Sequence, residues 1–418
     1  MRINPPEILS LNWVNRDGKL IILSRGLCTF AQSTIAILIA LHLEKLGFSL
    51  TQVGAFLSAG VAGGAFFTFI VSVASEKIGR KRLLVILTLL PAITGVALVF
   101  IDEFLPLMVF AFMGNIGVRG TTGPTHPLQQ ACLSDTAPAE KRTELFVVCR
   151  IIARFGTALG ALAVGLPVLF QNNFSMNEIN AFRIMFIGFA FFNILGAMIY
   201  SFLSSNVEVS HREKRLINPL RLPSRRRIFT LAGLFSLNHF AGGLFVQSLA
   251  AYWFYTRFGL QLESLALVFF LSDILGAVAM WFAAKLANRI GLINTMVSTH
   301  IPAGLFLIAA AFAPTALIAV TLWQLRAFFT AMDGPLRDSY IMSIVQPNER
   351  VAMSSSRVVG GSIAGAIGPS VGATLWQVFT ASVPLVASGI LRIIYDLSLF
   401  FLFRNVKPTQ ESDTTPSP

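Results

Sequence analysis

The sequence predicts an all-α membrane protein, with twelve transmembrane helices in two pseudo-symmetric six-helix bundles. Three observations carry that expectation: a composition too apolar for a soluble surface, about a dozen apolar runs of spanning length, and residues that recur at a fixed offset. Of the 418 residues, 55% are hydrophobic and 12% charged, and 37 are Phe. A water-soluble domain carries about 25% charged residues, so this chain cannot clothe a soluble surface with charge. The same figures exclude a disordered chain and a soluble α/β enzyme. The three cysteines, Cys28, Cys132 and Cys149, all lie in or at the ends of apolar stretches and imply no disulfide framework.

A spanning helix needs about 20 mostly apolar residues. Runs of that kind occupy 20–43, 52–74, 83–101, 106–134, 146–170, 184–204, 229–255, 264–284, 292–311, 317–346, 358–379 and 385–403. Residues 1–19 are polar and the first apolar run is too long for a signal-peptide core, so no cleavage is expected. With twelve spans the loops alternate sides, and Lys and Arg can be counted on each. The side of the N-terminus holds 22, and the other side holds Lys45, Arg183 and Arg257 alone. That asymmetry puts both termini in the cytoplasm. It also accounts for the net charge of +12 as topology, so no nucleic-acid partner is expected.

The longest cytoplasmic connection, 205–228, carries Arg225-Arg226-Arg227 near the middle of the chain. It is expected to link bundles 1–204 and 229–404, with 405–418 a disordered tail. If the linker joins two copies, residues should recur. Gly47 and Gly259 end spans 1 and 7, and Lys77-Ile78-Gly79 and Arg289-Ile290-Gly291 follow spans 2 and 8, both at an offset of 212. Gly123-Pro124 and Gly334-Pro335 stand 211 apart in spans 4 and 10, and Pro138 and Pro347 stand 209 apart. Parallel repeats of this kind suit a rocking transporter with its site between the halves.

The stretch Ser72-Val73-Ala74-Ser75-Glu76-Lys77-Ile78-Gly79-Arg80-Lys81 resembles the loop between spans 2 and 3 of the major facilitator superfamily, Gly-x-x-x-Asp-Arg-x-Gly-Arg-Arg/Lys. Ser72 replaces the first Gly, Glu76 the Asp and Lys77 the Arg. The resemblance implies that Glu76, Lys77, Gly79, Arg80 and Lys81 form a cytoplasmic gate; the plainer alternative is orientation by positive charge. Arg119-x-x-x-Gly123 resembles a second superfamily motif, an arginine associated with proton coupling in some members. The Gly-Pro signature of drug/proton antiporters is not matched in span 5, where Gly156, Gly160, Gly165 and Pro167 are spaced differently; a nearer likeness, Gly365 to Gly372, falls in span 11.

Seven arginines and four aspartates lie inside the spans. Each costs about 2.5–3.5 kcal/mol near a helix centre unless it pairs or faces water. Arg25, Arg119, Arg150 and Arg154 lie in the first half, without an acid; Asp273, Asp333, Asp338 and Asp396 lie in the second with Arg326, Arg337 and Arg392. Arg119 and His126 are seven apart, as are Arg326 and Asp333, and Arg337 follows Asp333 by four, close enough to pair. By analogy with the superfamily fold, spans 1, 4, 7 and 10 line the cavity. Arg119, His126, Arg326 and Asp333 are therefore the expected substrate-binding residues, with Asp333 or Asp273 taking the coupling proton; a structural Asp333–Arg337 pair is the alternative. Arg392 and Asp396, four apart on span 12, are expected to pair internally, and His239 and His300 to be packed, lone imidazoles. Pro124, Pro127 and Pro335 are read as interrupting spans 4 and 10. Glycines such as Gly60, Gly63 and Gly368 are read as close helix contacts.

No Walker A motif and no HExxH occurs, so neither nucleotide-driven transport nor metal hydrolysis is supported. No cofactor, metal or enzymatic activity is expected. The reading is a monomeric secondary transporter of the plasma membrane, or the inner membrane in a Gram-negative bacterium. It would couple a small organic solute, with an anion slightly preferred, to an ion, expected to be the proton. Proton-driven export of amphipathic drugs is the alternative, and a non-transporting sensor or scaffold is the alternative of another class.

Overall fold

The structure is a computed structural model and describes residues 13–116, 123–134, 136, 141–208, 225–344 and 350–404. These residues are almost wholly helical, and ten of the helical stretches are long and apolar enough to cross a membrane. The chain runs α1 (Arg16–Lys45), α2 (Leu50–Ile78), α3 (Arg80–Phe100), α4 (Phe104–Gly114), α5 (Thr125–Ser134), α6 (Arg142–Leu162), α7 (Leu166–Phe174) and α8 (Glu178–Ser201). It continues through α9 (Arg225–Leu244), α10 (Gln247–Phe258), α11 (Leu262–Ile290), α12 (Leu292–Ala311), α13 (Ala316–Ile344), α14 (Arg350–Val378) and α15 (Ser382–Phe403).

Local chemistry sets the helix ends. Asn15 caps α1 by accepting from the Gly18 amide at 2.8 Å, and Ser49 and Gln52 close a capping box at the start of α2. Four glycines take positive φ: Gly47 (86°), Gly79 (94°), Gly259 (65°) and Gly291 (85°). They are the two pairs that the offset of 212 singles out, so the repeated residues are the ones whose backbone only glycine adopts without strain.

Three expectations of continuity change. Span 4 is not one helix over 106–134: α4 ends at Gly114, Asn115 turns left-handed (φ 52°), and α5 starts after Gly123-Pro124. His126 stands in the first turn of α5, whereas Arg119 lies outside the described residues. Span 7 is divided between α9 and α10 by Phe245-Val246. Pro335, conversely, does not interrupt span 10, because α13 runs through it unbroken; spanning helices tolerate proline where neighbours re-satisfy the freed backbone group. Pro127 sits in the first turn of α5, where no intrahelical bond is lost.

Packing gathers the described residues into two units: 13–208 with 247–270, and 225–246 with 271–404. In the first, α1 lies against α6 and α8, and α3 against α8 and α4. In the second, α9 lies against α14 and α15, and α12 against α15 and α13. The same span pairs meet in each: 1 with 5 and 6, 3 with 6 and 4; 7 with 11 and 12, 9 with 12 and 10. The close approach of the first of these pairs rests on glycine in both units. A Cβ on Gly156 would lie 2.6 Å from the Gly26 carbonyl oxygen of α1, and one on Gly368 would lie 2.5 Å from the Gly243 Cα of α9. Gly156 and Gly368 are themselves 212 apart, a correspondence that comparison of span 5 with the antiporter signature does not bring out.

Ser205–Val207 forms a 3-10 turn, and Ser204 donates its amide and hydroxyl to the Asp17 carboxylate. The expected tail, 405–418, lies outside the described residues.

Candidate functional site

In the first unit the polar groups of α1 fall into two kinds. Most are bonded helix contacts: Ser24 donates to the Gly196 carbonyl (3.0 Å), Ser33 to Thr157 (2.7 Å) and Thr34 to Gly160 (2.8 Å). Hydroxyl bonds of this sort join helices where water is absent. Arg25 differs. It is 4% exposed, donates from Nη1 to Gln129 Oε1 at 2.7 Å, and has no partner for Nε. Gln129 in turn donates from Nε2 to the Tyr200 hydroxyl at 2.8 Å, so a chain of neutral groups ties α1 to α5 and α8. Arg25, Thr29, Gln32, Asn115, Gln129 and Asn193 contribute to a pocket of about 40 Å³, and none of the described residues that line it is acidic. The sequence marks Arg25 as a buried charge but does not place it at a site. Gln129 stands 104 residues away, a separation that no helical period reveals.

The second unit holds both signs. Asp333, 3% exposed, meets Arg337 at 3.1 Å as the spacing of four predicts, and Asp333 Oδ1 has no partner. The Arg337 guanidinium lies 5.8 Å from the Phe235 ring centroid. Asp396 does not pair with Arg392. It receives His300 Nδ1 at 2.9 Å instead, because α12 packs on α15 and brings a buried imidazole to it. Thus His300 is not a lone imidazole; His239 is packed, 2.8 Å from where a Gly361 Cβ would stand.

The other expected residues are dispersed. Arg326 on α13 lies over the Trp323 ring at 4.4 Å, a cation–π contact. Asp273 is buried on α11, where its neighbour Ser272 donates to Gln324 of α13 at 3.0 Å. His126 is half-buried in the first turn of α5. Arg119 lies outside the described residues, as does the side chain of Glu76.

The rest of the expected gate forms a corner between α2 and α3. Gly79 supplies the turn, Lys77 is exposed, and the amides of Arg80 and Lys81 donate to the Glu208 carboxylate at 2.7 and 3.2 Å. Lys81 Nζ donates to the Leu203 carbonyl at 2.7 Å. A carboxylate on the first amides of a helix satisfies orphan donors and complements the helix dipole. Nothing in the sequence singles out Glu208, because its partner lies 128 residues away. At the far end of α1, Lys45 meets Glu178 at 3.0 Å and Tyr255 of α10 at 3.1 Å, while Ser248 of α10 donates to the Ala36 carbonyl at 2.6 Å.

Two repeats of spanning helices with charged side chains enclosed among them define a multi-pass integral membrane protein of the transporter class. Residues 21–332 match the Major Facilitator Superfamily, and the chain belongs to that family. It is 22% identical over 436 residues to the uncharacterized membrane protein YJR124C of Saccharomyces cerevisiae, covering 96% of this chain and 97% of that one. The fold is similar to that of the nucleoside transporter NupG, with a TM-score of 0.74 at 13% identity over 93% of this chain and 100% of that one. It is also similar to a bacterial homolog of the human lysosomal transporter Spinster, inward-facing and unoccupied, with a TM-score of 0.73 at 15% identity over 99% and 100% of the two chains. A D-xylose–proton symporter gives 0.72 at 15% identity over 95% and 99%. The family and these neighbours are transporters, not enzymes.

Proposed function

We propose that the chain is a proton-coupled secondary transporter that carries a small organic solute, preferably an anion, by alternating access. It acts as a monomer in the plasma membrane with both termini cytoplasmic. The observation that carries coupling is Asp333, a carboxylate 3% exposed with one oxygen on Arg337 and the other without a partner. A carboxyl can hold or release a proton there, whereas a guanidinium cannot change charge. Asp273 is the second carboxyl able to serve. Arg119 and Arg326 draw the anionic group, and His126 contributes from span 4. Glu76, Lys77, Gly79, Arg80 and Lys81 act as the cytoplasmic gate. Orientation is supported by the 22 to 3 distribution of basic residues.

The test is electrogenic or radiolabelled uptake in proteoliposomes under an imposed pH gradient, screened with metabolite carboxylates and lipophilic cations. Uptake of a carboxylate that follows the gradient in the wild type, and loses that dependence in Asp333→Asn or Asp273→Asn, supports the reading. Gradient-driven uptake undiminished in both variants sinks the assignment of the coupling proton to these two carboxyls. A response to lipophilic cations alone makes drug export the function.

A further inference from the structure

We propose that the Arg25 pocket is an oxyanion subsite that anchors a carboxylate or phosphate group of the transported solute. This rests on the transport reading above and adds to it a location and a ligand chemistry. Arg25 stands nine residues into α1 and five into the apolar run 20–43, ~7 Å along the helix axis inside that run and so within a hydrocarbon core about 30 Å thick. A permanently charged group at that depth is retained where it pairs or meets a ligand. Arg25 Nη1 bonds a neutral amide oxygen, and no Asp or Glu is among the described residues that line the pocket.

The geometry holds the donor ready. Tyr200 accepts from Gln129 Nε2, which fixes the amide so that its oxygen, not its nitrogen, faces Arg25. One edge of the guanidinium is thereby engaged, and Nε, on another edge, has no partner although Arg25 is 4% exposed. An oxyanion is the complementary group for such a fork. Beside it, Gln32 Oε1 is also buried without a partner, so a ligand hydroxyl or ammonium next to the anionic group finds an acceptor. A space of about 40 Å³ admits a compact anionic group and excludes a sugar ring or a drug scaffold, which must stay outside this pocket.

The experiment uses the purified full-length protein in a non-ionic detergent, with melting temperature and equilibrium binding as readouts. The probes are succinate, benzoate, inorganic phosphate and phosphatidylglycerol, against glucose and tetraphenylphosphonium. A ligand of the native state raises the melting temperature by mass action. The expected result is stabilisation by one of the anions, with affinity at least tenfold weaker in Arg25→Gln and partly restored in Arg25→Lys. Stabilisation by phosphatidylglycerol alone would assign the site to a lipid headgroup and overturn the solute role. If Arg25→Gln does not fold, Cys28, a free thiol on the pocket lining, provides a wild-type readout. The bound anion should slow its modification by methyl methanethiosulfonate, a reagent compact enough for the pocket, and an unchanged rate at saturating anion overturns the proposal. Equal anion affinity in the wild type and Arg25→Gln overturns it too. Binding is measured without transport, so an anion held by Arg25 but not moved in proteoliposomes refutes the transport reading and leaves the subsite standing.

Discussion

His300 and Asp396 face each other at 2.9 Å across α12 and α15, with their side chains 2% and 0% exposed. The bond joins two helices of the second unit at a depth where neither group has water to fall back on. Removing one partner of a buried pair costs about 3–5 kcal/mol, because the other is left uncompensated. Asp396→Ala and His300→Ala should each lower stability by roughly that amount. The double variant Asp396→Leu/His300→Phe should lose less than the sum, and a thermal-unfolding cycle in detergent measures the difference.

The corner at Gly79 should be sensitive from both sides. Gly79→Ala forces a side chain onto φ 94° and brings its Cβ to 2.9 Å from Glu208 Oε1. Strain of that kind costs about 1–3 kcal/mol. Glu208→Ala removes the acceptor of the Arg80 and Lys81 amides and should cost about 1 kcal/mol. Both should accelerate hydrogen exchange at the start of α3 while leaving α12 unchanged.

The glycines at the offset of 212 should be intolerant of bulk in parallel. Gly156→Val would drive into the Thr29 side chain and the Gly26 carbonyl oxygen, and Gly368→Val into the Gly243 backbone. Each variant should lose its monodisperse size-exclusion peak. A well-folded Gly368→Val protein would contradict the close contact of α9 with α14.

Lys45 is 29% exposed and its partner Glu178 30%, so the pair contributes about 0–1 kcal/mol to stability. Its importance is expected in mobility instead. Lys45→Met should barely change the melting temperature, yet speed labelling of Ala251→Cys, buried on α10, by a membrane-impermeant maleimide as α10 loosens from α1. Unchanged labelling would show that the bond from the Ser248 hydroxyl to the Ala36 carbonyl suffices on its own.

Features set by neighbours in sequence are legible in the chain itself. Apolar length locates the spans, and the spacing of four between Asp333 and Arg337 foretells their pair. Glycine recurring at 212 marks corners that do take positive φ. The failures have a common cause. Arg392 stands one turn from Asp396 and invites a match, while the real partner, His300, lies 96 residues away and arrives only through helix packing. Arg25 with Gln129, and Glu208 with Arg80, escape sequence reasoning for the same reason. Pro124 does border the break in span 4. Phe245-Val246, however, carries no proline and leaves no local mark, whereas Pro335 advertises a break that α13 does not contain.

The membership of α10 in the first unit bears on how the protein is made. α1 is the most enclosed helix of that unit and carries Ser24, Arg25, Thr29, Gln32, Ser33 and Thr34, all buried. Its burial includes the Ser248 bond to Ala36, a residue 212 positions earlier in the chain. A ribosome delivers the chain from the N-terminus at about 5–20 residues per second, so α1 waits tens of seconds in the bilayer before α10 emerges to close over it. The outer part of α1 around Ala36 is therefore completed only once the second repeat has begun to insert, and a nascent chain halted before residue 247 should leave the Ala36 carbonyl without the Ser248 hydroxyl.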